Sequence, residues 1–145
     1  KKNEKQQIKC STDIYDIMHP YLCDNKTEEC WAIFLNQSSR VTRKIRVSAG
    51  GYAMCPVDVR VILKEAILCE AVALIICHNH PSGNCTPSRQ DIQTTKEIEL
   101  ALSGIDVILS DHFIFTDEDY LSMRATGVLQ KLRHDIATLK RQIIT

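Results

Sequence analysis

The chain has no long hydrophobic run. Its longest apolar stretch, AVALIIC at residues 71–77, is far short of the roughly 20 residues that span a bilayer, so no membrane-crossing helix is expected. It has no net charge: 18 basic and 18 acidic side chains cancel. No global field would therefore hold it on nucleic acid or an anionic membrane, and any such binding must be local. Its seven cysteines contain no CxxC pair, and an odd count without that spacing signals neither a disulfide framework nor a zinc ribbon. Cys69 and Cys77 stand in apolar context, as buried free thiols of a reducing cytoplasm do. The amino end, KKNEKQQIKC, is charged throughout and offers no signal peptide. Low-complexity tracts and internal repeats are missing too, and 145 residues suffice for one compact domain but hardly for two.

What is present alternates between helical and extended patterns. STDIYDIMHPYL at 11–22 opens on cap candidates, places Ile14, Ile17 and Met18 at helical spacing, and meets Pro20, which should end the helix. ECWAIFLN at 29–36 reads as a buried strand. RVTRKIRVS at 40–48 reads as a half-solvated one, with Arg43 breaking its alternation. GGY at 50–52 punctuates, and Pro56 suits the first turn of a helix whose apolar face is Val59, Ile62, Leu63, Ala66 and Ile67. VALIICH at 72–78 is short, rich in Val and Ile, and bounded by turn signals, as a central strand buried on both faces would be. A helix over about 88–103 stops at Gly104, two strand-like pieces come next in IDVILS and DHFIFT, and DED at 117–119 turns the chain. From 129, Leu129, Leu132, Ile136, Leu139 and Ile143 recur at alternating spacings of three and four, an amphipathic helix. The order describes a single α/β domain with a mixed β-sheet flanked by helices. It divides into an amino-terminal helical segment (1–26), a central domain (27–128) and the carboxy-terminal helix (129–145).

HNHPSGNCTPSRQD, residues 78–91, carries the chemistry. Histidines two apart on extended backbone project both imidazoles to one side, as coordination from a strand end requires. Asp91 lies on the inward face of the following helix with Ile98, Leu102 and Ile105, where a carboxylate needs a partner. A plainer reading competes, since Ser88-x-x-Asp91 fits a capping box. Pro87, if it takes its favoured first helical position, moves the cap to Thr86 and frees Ser88 and Asp91 for another task. Two imidazoles and one carboxylate would supply three ligands of a tetrahedral zinc and leave the fourth position to water, the pattern of a catalytic site. A nearby carboxylate would then be needed to take the water's proton.

His78-x-His80, seven residues, Ser88, two residues and Asp91, with a glutamate upstream at a strand entry, resembles the JAMM motif of the MPN-domain metalloenzymes. The wording HNHPSG…TPS..D, with DHFIF and YLSM…G further on, is similar to the RadC branch, from about Thr27 to Val128. The resemblance implies an MPN (cytidine-deaminase-like) fold, His78, His80 and Asp91 as Zn2+ ligands, Ser88 as a stabiliser of the oxyanion, and a glutamate as general base. Glu29, immediately before the apolar strand, is the first choice for that base and Glu28 its competitor. Only one of the two can reach the metal, because strand neighbours face opposite sides. The implied activity is hydrolysis of a peptide or isopeptide bond in a protein or peptide substrate.

Two departures bear on this. RadC-type proteins often have an acidic residue where Asn84 stands. Many also carry a helix-hairpin-helix region before the domain, and about 25 residues before the first strand leave no room for it. Alternatives from other classes are a nucleic-acid-associated protein of DNA repair or mobile elements, and a non-catalytic MPN scaffold. Against DNA binding, Arg40, Lys44 and Arg46 are not interleaved with stacking aromatics in the sequence. Cys85 reads as a loop thiol and Asp111 and His112 as a satisfied structural pair. The basic carboxy-terminal helix is expected to pack on its own domain or on another copy of the chain.

Overall fold

The computed structural model describes residues 6–49 and 56–144. The GGY punctuation at 50–52 lies outside them. The elements run in the order α1 (Ser11–Leu22), β1 (Glu29–Leu35), β2 (Val41–Ala49), α2 (Val59–Leu68), β3 (Ala73–Asn79), α3 (Arg89–Ser103), β4 (Ile108–Phe115), β5 (Tyr120–Ser122) and α4 (Val128–Ile144). The strands form one mixed five-stranded sheet in the order β2-β1-β3-β4-β5. Only β3 and β4 run parallel, joined across α3, and the other neighbours are antiparallel. This is the α/β architecture of the MPN type.

Strand alternation divides the core into two layers. Cys30, Ala32 and Phe34 of β1 and Leu74 and Ile76 of β3 face α2, α3 and α4, with Ile62, Ile98, Leu102, Leu129 and Leu132 packed on them. Ile33, Leu35, Ile75, Cys77, Phe113 and Phe115 face the other way and meet α1. A 12-residue helix is marginal alone in water. Ile14, Met18 and Leu22, each essentially inaccessible to solvent, contribute about 1.5–3 kcal/mol apiece by burial, which is what holds α1 in place. α1 is thus a layer of the domain, and it runs past Pro20 to Leu22 with the proline inside its last turn.

Several local expectations shift. Arg43 breaks the alternation of β2 because the register slips there: Phe34 pairs with Arg43 and Leu35 with Val41, leaving Thr42 as the extra residue of a bulge. The two pieces IDVILS and DHFIFT merge into one strand, β4, that begins only at Ile108 and ends at Phe115; it also carries a bulge, since Leu74 pairs with Leu109 and Ile75 with Asp111. The polar Ser110-Asp111 pair imitates a break, yet Asp111 is buried and fully used. Its carboxylate accepts from the His112 and Arg124 amides and from Ser122 Oγ. The bulge also sets the facing of the rest of β4: His112 and Ile114 point to the α3 side, Phe113 and Phe115 to α1. α2 starts later than Pro56 suggests, because Asp58 caps it by accepting from the Arg60 amide.

α4 packs on α3 through Leu129, Leu132 and the half-buried Ile136. Arg133 reaches Glu99 at 3.3 Å and also donates to the Leu109 carbonyl. No helix among the described residues is long and apolar enough to cross a membrane.

Candidate metal centre

The cleft of interest opens where β3 ends, α3 begins and β4 passes behind, at the carboxyl end of the parallel pair, where open α/β sheets place their ligands. It has a volume of about 290 Å3, and Glu28, His78, His80, Ser88, Asp91 and His112 are among its walls. His78 is the penultimate residue of β3 and buried. His80 keeps the extended course beyond the strand because its amide donates to the Phe115 carbonyl at 2.8 Å, and the two imidazoles therefore reach the same side.

Asp91 enters from α3. The cap of that helix is Ser88, not Thr86: Ser88 Oγ accepts from the Asp91 amide at 3.0 Å, and the Asp91 carboxylate accepts from the Ser88 amide at 2.7 Å. Pro87 sits before the cap, and the Thr86 amide is instead taken by Asn84 Oδ1 at 3.0 Å. The capping and metal readings of Ser88-x-x-Asp91 are not exclusive. One carboxylate fixes the helix start and still presents Oδ1 to His78 Nε2 at 3.0 Å and Oδ2 to His80 Nε2 at 2.9 Å.

The loop between is folded to orient His80. Gly83 adopts a φ of +89°, a region glycine enters without strain, and the turn brings the Asn84 carbonyl back to accept from His80 Nδ1–H at 2.7 Å. Because the backbone of Asn84 makes this bond, the departure of its side chain from the family's acidic preference leaves the contact intact. With Nδ1 protonated, a neutral His80 presents a bare Nε2 to the cleft. His78 in turn has its Nδ1 2.7 Å from His112 Nε2. The two Nε2 atoms stand 3.0 Å apart, with the Asp91 oxygens against both.

Electron-rich atoms so placed repel one another unless a cation or a proton lies among them. Burial disfavours charge on the His80 ring, but Asp91 and the Asn84 carbonyl outweigh it and raise its pKa above the ordinary value. Burial likewise works against the charged Asp91, yet the two imidazoles hold its carboxyl well below the usual range. The donor set, two imidazole nitrogens and a carboxylate converging on one point, fits a zinc ion with an open position.

Glu28 completes the cluster. Its carboxylate, His78 and His80 each offer a ligand atom within 4.8 Å of the others, and burial pushes its carboxyl above the usual carboxylate range against the pull of the two rings. Glu29 does not face the cleft: its Oε1 accepts from Trp31 Nε1 at 3.1 Å, and its Oε2 lies 3.7 Å from Arg46. The difference is strand parity. Cys30 pairs with His78, so Glu28, two residues before Cys30, shares the histidine side, while Glu29 shares the side of Trp31. Asn79, which gave no functional signal in the sequence, fixes this entry, as its Oδ1 accepts from the Glu29 amide at 2.7 Å and its Nδ2 donates to the Thr27 carbonyl at 3.0 Å. The one available hint was an amide side chain held between the two histidines at the end of the strand. His112 is more than half of a structural pair: it backs His78, and burial holds its pKa far below the histidine value. Cys85 packs against the larger core cluster.

Fold and site together describe an MPN-type domain with a JAMM-like constellation. The RadC-like JAB domain matches residues 8–128, and the chain belongs to that family. A UPF0758 protein of Flavobacterium johnsoniae is 42% identical over 123 residues, which cover 85% of this chain and 54% of the relative. A UPF0758 protein of Porphyromonas gingivalis is 37% identical over 126 residues, 86% of this chain and 56% of the relative. One from Methanosarcina mazei is 31% identical over 128 residues, 87% and 55%. The chain spans about half the length of the curated relatives it matches. The short stretch before the first strand therefore bears on neither the presence nor the loss of a preceding region.

Proposed function

We propose that the cleft is the active site of a zinc-dependent amide hydrolase, with His78, His80 and Asp91 holding the ion and Glu28, in place of Glu29, as general base. The convergence of two imidazole Nε2 atoms and both Asp91 oxygens within 3.0 Å carries this reading. A bound zinc ion supplies a Lewis acid and brings the pKa of water to near 7. Glu28, grouped with His78 and His80, would be the base that takes a proton from an attacking water and returns it to the departing amine. Ser88 Oγ already accepts from the Asp91 amide, so its own proton is left for the oxyanion of the attacked carbonyl.

The cleft walls favour one class of substrate. Among the described residues the cleft lining holds no lysine or arginine, so the free carboxylate of a chain end finds no counter-charge. An amide within a peptide, or an isopeptide, suits it better. The nucleic-acid reading gains little, since Arg43 pairs with Glu65 at 2.6 Å, Arg46 lies near Glu29 and Lys44 sits over the Tyr21 ring. The test is hydrolysis of a peptide and isopeptide library by zinc-loaded chain. Glu28→Gln should keep its zinc and lose cleavage, and cleavage that survives this substitution contradicts the assignment.

A further inference from the structure

Thr95 and His112 are almost wholly buried, at 0% and 2% exposed, and neither offers an atom to the ligand set. They form a directed chain. Thr95 Oγ1 lies 2.6 Å from the Asp91 main-chain carbonyl and 2.7 Å from His112 Nδ1. A carbonyl oxygen only accepts, so the single hydroxyl proton goes to Asp91. The hydroxyl then accepts from His112 Nδ1–H. A neutral His112, protonated on Nδ1, has a bare Nε2, and that atom lies 2.7 Å from His78 Nδ1, which must carry the proton between them.

We propose that Thr95 and His112 are positioning residues that lock His78 as its Nδ1–H tautomer, so that its Nε2 lone pair faces the metal position before any metal arrives. The proposal rests on the metal reading of the cleft. Its logic is that of outer partners which fix the tautomer of a ligating histidine and whose loss weakens metal binding by about 10- to 100-fold. The anchor is the first turn of α3, which also carries Asp91. The same turn therefore sets the carboxylate directly and one of the two imidazoles through a relay. His80 is locked separately, by the Asn84 carbonyl.

The relay has a specific failure mode. Thr95→Val keeps the side chain's shape and removes the hydroxyl, so His112 Nδ1–H loses its acceptor. His112 can then move its proton to Nε2 and donate to His78 Nδ1, which leaves the His78 proton on Nε2, aimed at the metal position. Thr95→Ser retains the hydroxyl and should behave as wild type. The experiment uses the full chain, stripped of metal and labelled with 15N-histidine. Nitrogen chemical shifts report each tautomer, and chelator competition reports zinc affinity.

Expected are Nδ1–H at His78 in wild type and Thr95→Ser, and Nε2–H with about 10- to 100-fold weaker zinc binding in Thr95→Val. Wild-type chain that binds no zinc overturns the metal reading. Wild-type chain that binds zinc but shows His78 protonated on Nε2 overturns the lock alone, whether or not any variant folds. Folded Thr95→Val with wild-type zinc affinity does the same.

Discussion

The pair Glu28-Glu29 shows how one residue's facing decides the chemistry. Both glutamates precede an apolar strand, and Cys30, Ala32 and Phe34 on one side are as buried as Ile33 and Leu35 on the other. With both faces of β1 buried beyond Glu29, no polar residue from Cys30 to Leu35 marks which face carries the histidines. The pairing of Cys30 with His78 decides it, and pairing is a long-range fact. By contrast the convergence of His78, His80 and Asp91 was legible, because strand period and helix period each fix a direction locally. Glu28→Gln is expected to keep zinc and lower hydrolysis by about 10²- to 10⁴-fold, while Glu29→Gln leaves the rate close to wild type. Steady-state rates with metal content measured on the same samples check this, and the reverse ranking would return the role to Glu29. Asn79→Ala frees the Thr27 carbonyl and the Glu29 amide together, so it should lower the rate with zinc content unchanged.

At the scale of elements, the start of α3 does two jobs that the sequence presented as rivals. The capping box and the convergence of Asp91 on the histidines use the same carboxylate, and Pro87 precedes the cap where it was expected to follow it. Ser88→Ala should therefore cost about 1 kcal/mol of stability through the lost cap and lower hydrolysis as well. Chemical denaturation of metal-free protein isolates the first effect from the second. Gly83→Ala meets no atom within 4 Å of the added Cβ, so its cost is conformational, of order 1–2 kcal/mol for a residue held in the left-handed region. Because that turn aims the Asn84 carbonyl at His80, the substitution should weaken zinc binding too. Wild-type affinity in a destabilised Gly83→Ala protein would separate the turn from the site.

For the molecule as a whole, the alternation of elements and the single-domain architecture were readable from hydrophobic period. The bulges in β2 and β4 were not, since an extra residue in a strand is defined only by its partner strand. The site couples to stability through protonation, with opposite signs in the two metal states. His80 has a pKa raised above 6.5 in the folded, metal-free chain. The stability it contributes is complete below the unfolded value, about 6.5, and is lost as pH rises through the folded one. Zinc needs the bare Nε2, so the stability it adds grows as pH rises through the same window. The gap between the Tm of loaded and metal-free protein should therefore widen from about pH 6 upward. A gap constant across that window would show that no proton leaves His80 when metal binds.

The most direct test of the metal centre is calorimetric titration of zinc into folded, metal-stripped chain, with His78→Ala alongside. Expected is saturation at one zinc per chain with release of protons, and loss of that binding in His78→Ala. Folded wild-type chain that takes up no zinc, or takes it up equally well without the His78 imidazole, would contradict a centre built from His78, His80 and Asp91.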